Sequence, residues 1–251
     1  MAGSVSCPAS PTTDHGCARL GARIYLMCPS MSYRLSSGVH HCIVEDRSIF
    51  LDLARDRYFA LPANLEAAFR RAIESPCDSM VAPDDAGRLV RAGILQAVDG
   101  GQTPTPPASP IAPASDRISV AAASKASLTL VAQVVLAQLM ASLVVRIFPL
   151  RVIARHLERL NPAESGMDSD GTTDELAAAF RVASLFIKVE GNCLPRTLAF
   201  VWLARRRRCD ANLVLGVRIN PFSAHCWAQG GDVVLNDRLD RTILFKPILR
   251  L

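Results

Sequence analysis

Three short runs near the start of the chain alternate apolar and polar residues, and two longer runs after them space apolar residues three and four apart. His41–Val44 predicts a first strand, ending at the polar pair Glu45-Asp46. Ser48–Leu53 predicts a second, with Ile49, Leu51 and Leu53 on one face, and Arg55-Asp56 turns the chain into a third, Arg57–Leu61. Pro62 stops that strand and opens a helix over Ala63–Ile73, whose Leu65, Ala68, Phe69 and Ile73 share one side. A second helix follows Pro83, with Asp84 as N-cap and Leu89, Val90, Ile94 and Leu95 as its apolar positions. The order β-β-β-α-α describes a small winged-helix-like unit over residues 31–98.

Periodicity then disappears. Gly100–Ser115, GGQTPTPPASPIAPAS, is dominated by Pro, Ala, Ser and Thr. It predicts a Pro-rich linker, partly polyproline II, over residues 99–117. The second unit, 118–251, contains Ala126–Val145, twenty residues without a charge and long enough for a membrane span. Ser127, Thr129, Gln133, Gln138 and Ser142 interrupt its apolar character, and Arg146 follows at once. A buried or interfacial core helix running on through RIFPLRVIARHLERL is therefore expected, without membrane contact; a span and a partner-docking surface are the alternatives. Asn161–Gly171 is a loop. Thr172 and Glu175 make a capping box for a helix from Thr173 to about Val189. Gly191 breaks that helix, and a new one runs from Cys193 to about Arg207. Ala211–Ile219, Ser223–Gln229 and DVVLND predict three strands, the last two joined at Gly230-Gly231. The fold class is α+β.

Composition narrows the function classes. Half of the 251 residues are hydrophobic, enough for a sizeable core, and the net charge of +5 is mild. The densest basic cluster, Arg205–Arg208, reads as a solvated helix C-terminus, where cations suit the macrodipole. No long basic tract interleaves with aromatics, so no nucleic-acid partner is expected. The eight cysteines form no CxxC pair, so no metal site is expected, and their scatter suits a reducing cytoplasm. The N-terminus lacks a signal-peptide pattern. Residues 1–30 read as a disordered extension, with Met31 a candidate start.

Chemistry concentrates in three residues. A cysteine nucleophile works as its thiolate, which a helix N-terminus and a neighbouring imidazolium both favour. The histidine in turn needs a third group to hold its tautomer. Cys193 stands at a predicted helix start, His225 in a strand and Asp237 beyond the following hairpin turn. Singly, each has a plainer reading: a core thiol, a structural histidine, a turn acid. Together, in that order on helix, strand and strand, they form a candidate catalytic triad.

The motifs GNCLPRTLAF, LVLGVRINPFSAHCWAQ and GDVVLND resemble those of the transglutaminase-like cysteine peptidases that mature lasso peptides, over roughly residues 172–248. FLDLARDRYFALP resembles the strands of the PqqD-like precursor-peptide recognition element, so the chain looks like a fusion of the two. The resemblance implies a recognition domain, a linker and a transglutaminase/papain-like domain whose catalytic helix packs on an antiparallel sheet. It implies cleavage of a leader from a ribosomal precursor peptide, with Cys193 as nucleophile, His225 as base and then acid, and Asp237 as orienter. The Cys193 backbone N–H would stabilise the oxyanion, with the Asn192 side chain a candidate second donor. It further implies a partner cyclase, similar to asparagine synthetase, that uses ATP to close a macrolactam. This chain has no GxxxxGK[ST] loop, so the ATP chemistry is expected to belong to that partner, and no cofactor is expected here.

Leader binding would add a strand to the edge of Arg57–Leu61, with Tyr58, Phe59, Leu89 and Ile94 as contacts. Each of the four reads equally as core. Two positions depart from the family pattern: Cys226 replaces the usual Ala, and Gln229 a common Glu. Alternation turns Cys226 away from the His225 face, and Gln229 would remove a charge near the substrate channel. An acyltransferase acting on amines and a non-enzymatic leader-binding chaperone are the rival classes.

Overall fold

The computed structural model of the chain describes residues 32–74, 83–98, 112–117, 126–160, 170–187 and 191–251. The expected N-terminal extension and residues 99–111 of the expected linker lie outside them.

Near the N-terminus, β2 (Val39–Val44), β3 (Arg47–Asp52) and β4 (Arg57–Ala60) form an antiparallel sheet in that order. Its turns are tight: Glu45, Asp46 and Asp56 take positive φ, and the Asp52 carboxylate accepts the N–H groups of Ala54 and Arg55. Helices α1 (Ala63–Glu74) and α2 (Pro83–Arg91) cover one face of this sheet. Phe50, Phe59 and Phe69 meet there, with ring centroids 5.1 and 4.7 Å from Phe50. The second helix ends at Arg91, so Ile94 and Leu95 are not helical. Leu95 opens β5 (Leu95–Val98), which pairs with β1 (Ser32–Leu35) as a separate two-stranded ribbon.

The other face of the three-stranded sheet is not solvent. Cys42, Ile49, Leu51 and Leu53 belong to the same buried cluster as the C-terminal helices and sheet. Burial pushes the Cys42 thiol up to about 11. The two units expected to be joined only by a linker therefore share one core.

In the C-terminal unit, α3 (Leu128–Ile147) packs against α5 (Asp170–Ala183) and α6 (Cys193–Arg206). The helix does not run on as the apolar pattern suggested. Phe148 and Pro149 leave the helical conformation, and α4 (Leu150–Arg159) starts anew after Pro149, because proline suits a helix start but breaks an interior. Leu136, Leu139, Leu143 and Ile147 on the outer side of α3 remain exposed. By length and composition alone α3 could cross a membrane, though its inner side is occupied by protein. Helix α5 starts at Asp170, so Thr172 lies inside it rather than at a cap, and it ends at Ala183 with Phe186 exposed in the following turn.

Helix α6 is the centre of the unit. Thr197 through Val201, with Leu203 and Ala204, are buried between α3, α5 and the sheet, and the Phe180 and Phe200 rings lie 5.0 Å apart. Arg205 corrects the reading of Arg205–Arg208 as a wholly solvated cluster. Its guanidinium donates to the carbonyls of Leu157, Ala211 and Leu251, tying α4 and two strand ends to α6.

The sheet contains β6 (Ser115–Asp116), β7 (Asn212–Arg218), β8 (Ser223–Gly230), β9 (Val233–Val234) and β10 (Lys246–Arg250), in the order β10-β7-β8-β9-β6. All neighbours are antiparallel except β6 and β9. The end of the expected linker is thus a strand. The short helix α7 (Leu239–Thr242) precedes β10, and its Leu239 N–H donates to Asp116 Oδ2 at 2.9 Å.

Gly216, cross-strand partner of His225, is required by packing. An added Cβ would lie 2.7 Å from the Trp227 ring and 3.0 Å from Phe245 Cβ. Gly216→Ala is predicted to lower stability by about 1–3 kcal/mol, read as the shift in urea unfolding; an unchanged midpoint would show that the Trp227 ring moves freely.

Candidate active site

The site forms where β9 stops early. β9 covers β8 only opposite Gln229 and Gly230, so the rest of that β8 edge must satisfy its backbone groups otherwise. Leu235 N–H still donates to Ala228 O at 2.8 Å. The Ala228 N–H donates to Asn236 Oδ1 at 2.7 Å, and the Asn236 amide donates to Thr197 Oγ1 at 3.0 Å. Thr197 Oγ1 donates to Cys226 O at 3.1 Å. This buried chain of bonds joins α6, β8 and the segment after β9, each of which carries one member of the triad.

Cys193 is the first residue of α6. Pro195, in the first turn, lacks an N–H but loses no helical bond there. The Leu194 and Cys226 backbone N–H groups and the His225 ring all favour the Cys193 thiolate. His225 is buried between Trp227 and Phe245, with centroids 6.2 and 5.1 Å away. Its Nε2 lies 2.5 Å from Asp237 Oδ2, while Asp237 Oδ1 accepts the Arg238 N–H at 2.8 Å. With Nε2 on the carboxylate, Nδ1 is the nitrogen left for Cys193.

The electrostatics of the three groups reinforce one another. Burial alone would raise the Cys193 thiol, but the hydrogen bond and charge of His225, with the two N–H groups, bring it below its ordinary value. Burial would lower His225, but Asp237 and then Cys193 raise it. Burial would raise Asp237, but His225 and the Arg238 N–H lower it. The arrangement favours thiolate, imidazolium and carboxylate in a row.

A cleft of about 340 Å³ opens beside this row, lined by Leu51, Asp56 and Tyr58 from the N-terminal unit and by Val145, Phe148, Leu150, Leu194 and Leu215 among others. Tyr58 faces it and meets Phe222 at 5.6 Å. Phe59 points the other way, onto Phe50. Leu89 and Ile94 are 0% and 4% exposed inside the small core, so they present no surface to a peptide in this structure, which corrects the expectation for both. Asn192 is exposed at the N-cap of α6, and its side chain does not cap the helix. Cys226 is fully buried. Gln229 is buried as well, accepting from Trp227 Nε1 and donating to Gly231 O, so it does not face the channel.

Thr197 and Asn236 were not singled out from the sequence, although Thr197 lies one turn beyond Cys193 and Asn236 directly precedes Asp237. Arg196 was also passed over. It is half-buried, with burial lowering its pKa and the Asp237 charge opposing that. Among the described residues no group of His, Cys, Asp or Glu is arranged to hold a metal.

Residues 135–250 match the family model of the transglutaminase-like superfamily. Fold and site thus define a mixed α+β protein with a transglutaminase-like domain. A 48-residue stretch, 19% of this chain, is 40% identical to the microcin J25-processing protein McjB of Escherichia coli and covers 23% of it. The chain therefore spans less than a quarter of the length of that curated relative. No solved structure matches.

Two predictions follow from the site. Alkylation of Cys193 by iodoacetamide should rise with pH at a midpoint below the ~8.5 of free cysteine. Asp237→Asn removes the charge that supports the imidazolium, so His225 falls, the thiolate loses its counter-ion and the midpoint should move up; an unmoved midpoint would disprove the coupling. Asn236→Ala leaves the buried Ala228 N–H without its acceptor and should cost about 1–3 kcal/mol in urea unfolding, whereas full stability would mean that water replaces the amide.

Proposed function

We propose that the protein is a cysteine peptidase of lasso peptide biosynthesis, cleaving the leader from the core of a ribosomal precursor peptide. The observation that carries this reading is the Cys193–His225–Asp237 row at the N-terminus of α6, within the residues that match the transglutaminase-like family model, in a chain one stretch of which is similar to a microcin-processing protein.

In this mechanism the Cys193 thiolate attacks the carbonyl carbon of the leader–core bond. The Cys193 N–H, at the positive end of α6, and the Asn192 side chain would donate to the oxyanion that forms. The His225 imidazolium gives its Nδ1 proton to the departing amine, freeing the N-terminus of the core. Water then attacks the thioester, losing a proton to His225, and the leader leaves with a new carboxylate. Asp237 stays ionised throughout and holds the ring with Nδ1 towards sulfur.

The leader would lie along β4, the outer strand of the three-stranded sheet, extending it by main-chain hydrogen bonds. Tyr58 and Phe59 flank that edge on opposite faces. The freed core would pass to an asparagine-synthetase-like cyclase that spends ATP on ring closure, while this chain needs no cofactor and works in a reducing cytoplasm.

The test incubates the purified chain with the precursor peptide encoded beside its gene and reads masses, with and without the cyclase. Wild type should yield leader and core, and Cys193→Ala should yield neither. Amine adducts of the leader instead of its free acid would move the assignment to acyl transfer. Intact precursor under every condition would leave only the chaperone reading.

A further inference from the structure

The cleft beside Cys193 belongs to neither unit alone. Leu51 and Tyr58 come from the N-terminal sheet, Val145, Phe148 and Leu150 from the corner between α3 and α4. This joint wall is built in. Leu51 is fully buried in the shared core. Asp56 Oδ1 accepts the Leu150 N–H at 3.0 Å, which pins the start of α4 to the turn before β4. Tyr58 is clamped by Phe222 from the turn between β7 and β8. Asn220, in the same turn, donates to Glu45 Oε2 at 2.8 Å.

We propose that this cleft is a specificity pocket that takes one uncharged, predominantly aliphatic side chain of the substrate beside the scissile bond, and that the N-terminal unit supplies part of its wall. The inference rests on the peptidase reading and adds the chemistry of the residue admitted. Three observations support it. At about 340 Å³ the cleft lies at the small end of the ~300–1,000 Å³ range of ligand pockets, matching one side chain with adjoining backbone rather than a long segment. Its surface is mainly apolar, and the Asp56 carboxylate on its wall is engaged by Leu150. An acidic side chain entering would lose its hydration and face the Asp56 carboxylate, and a basic one would meet only that solvent-exposed carboxylate, already shared with the Leu150 N–H, in return for the hydration it gives up. Cys193 and His225 line the same cleft, so its occupant sits within a residue or two of the attacked carbonyl.

The N-terminal unit then does more than tether a leader. A peptide is read at two places, along β4 and in the cleft, and Tyr58 on β4 connects them. Substitutions on the N-terminal side should consequently change which bond is cut, as well as how tightly the peptide is held.

The experiment uses the full chain and the precursor peptide, with each residue within three positions of the cleavage point replaced singly by Gly, Leu, Asp and Lys. At one position the aliphatic residue should exceed Gly, and exceed Asp and Lys, by about tenfold or more in kcat/KM. Val145→Phe, which fills the cleft, should shift that preference towards smaller residues, and Tyr58→Ala, which enlarges it from the N-terminal side, towards larger ones. A urea-unfolding midpoint close to that of the wild type verifies that each variant is folded. Cleavage that is indifferent to all these positions, or a preference for Asp or Lys that neither variant alters, overturns the pocket and leaves the peptidase reading standing. Failure to cut any precursor overturns both.

Discussion

A buried strand edge cannot leave its N–H and C=O groups without partners, and the candidate site is one answer to that constraint. β9 ends at Val234, and the uncovered part of β8 takes partners from elsewhere: Asn236 and Thr197. Those partners stand on α6 and on the segment after β9, the elements that carry Cys193 and Asp237. An extra pair of residues in β9 would satisfy the edge in the ordinary way, by strand pairing, and would take the place of the Asn236 and Thr197 bonds. The early end of the strand and the place of the Cys193 sulfur are thus two aspects of one arrangement.

The electrostatics depend on the same enclosure. Burial by itself works against every charge in the row, and in each group it is the largest single influence. The row is held ionised only because each member faces an opposite charge or a backbone N–H at hydrogen-bonding distance. Loss of one member therefore leaves the others in a poorly solvated place without compensation. That is why Asp237, which touches no sulfur, should govern the reactivity of Cys193.

The N-terminal sheet shows how a neighbouring unit can be absorbed into a larger core. β3 is buried on both faces, with Phe50 directed to the helices of its own unit and Ile49, Leu51 and Leu53 to the larger core. The apolar side of the sheet that would be solvent-facing in an isolated unit becomes the floor of the cleft. Tyr58 and Phe59, adjacent on β4, are divided between these two environments by the pleat.

Local pattern by itself determined most of the elements: the three strands with their Glu45-Asp46 and Arg55-Asp56 turns, the helix beginning at Cys193, and the hairpin of β7 and β8. Their signals are short-range, because period-two alternation, turn residues and helix breakers act within a few positions of the chain. Of the three candidate catalytic residues, Cys193 stands at a helix start that the pattern marks, whereas His225 lies within a strand, and the order of the three and the motifs around them are what singled them out. The break at Pro149 was equally visible in the sequence, but the apolar run on either side masked it. What only the tertiary structure decided were the long-range choices. The burial of Leu89 and Ile94, the inward turn of Gln229, the triple carbonyl bond of Arg205, the pairing of Ser115–Asp116 with β9 and the fusion of two cores all depend on partners tens of residues away or on the enclosure they create. No local periodicity encodes which surface will cover a given face, so the walls of the cleft, and with them the chemistry of what it can admit, became visible only when the two units were seen packed together.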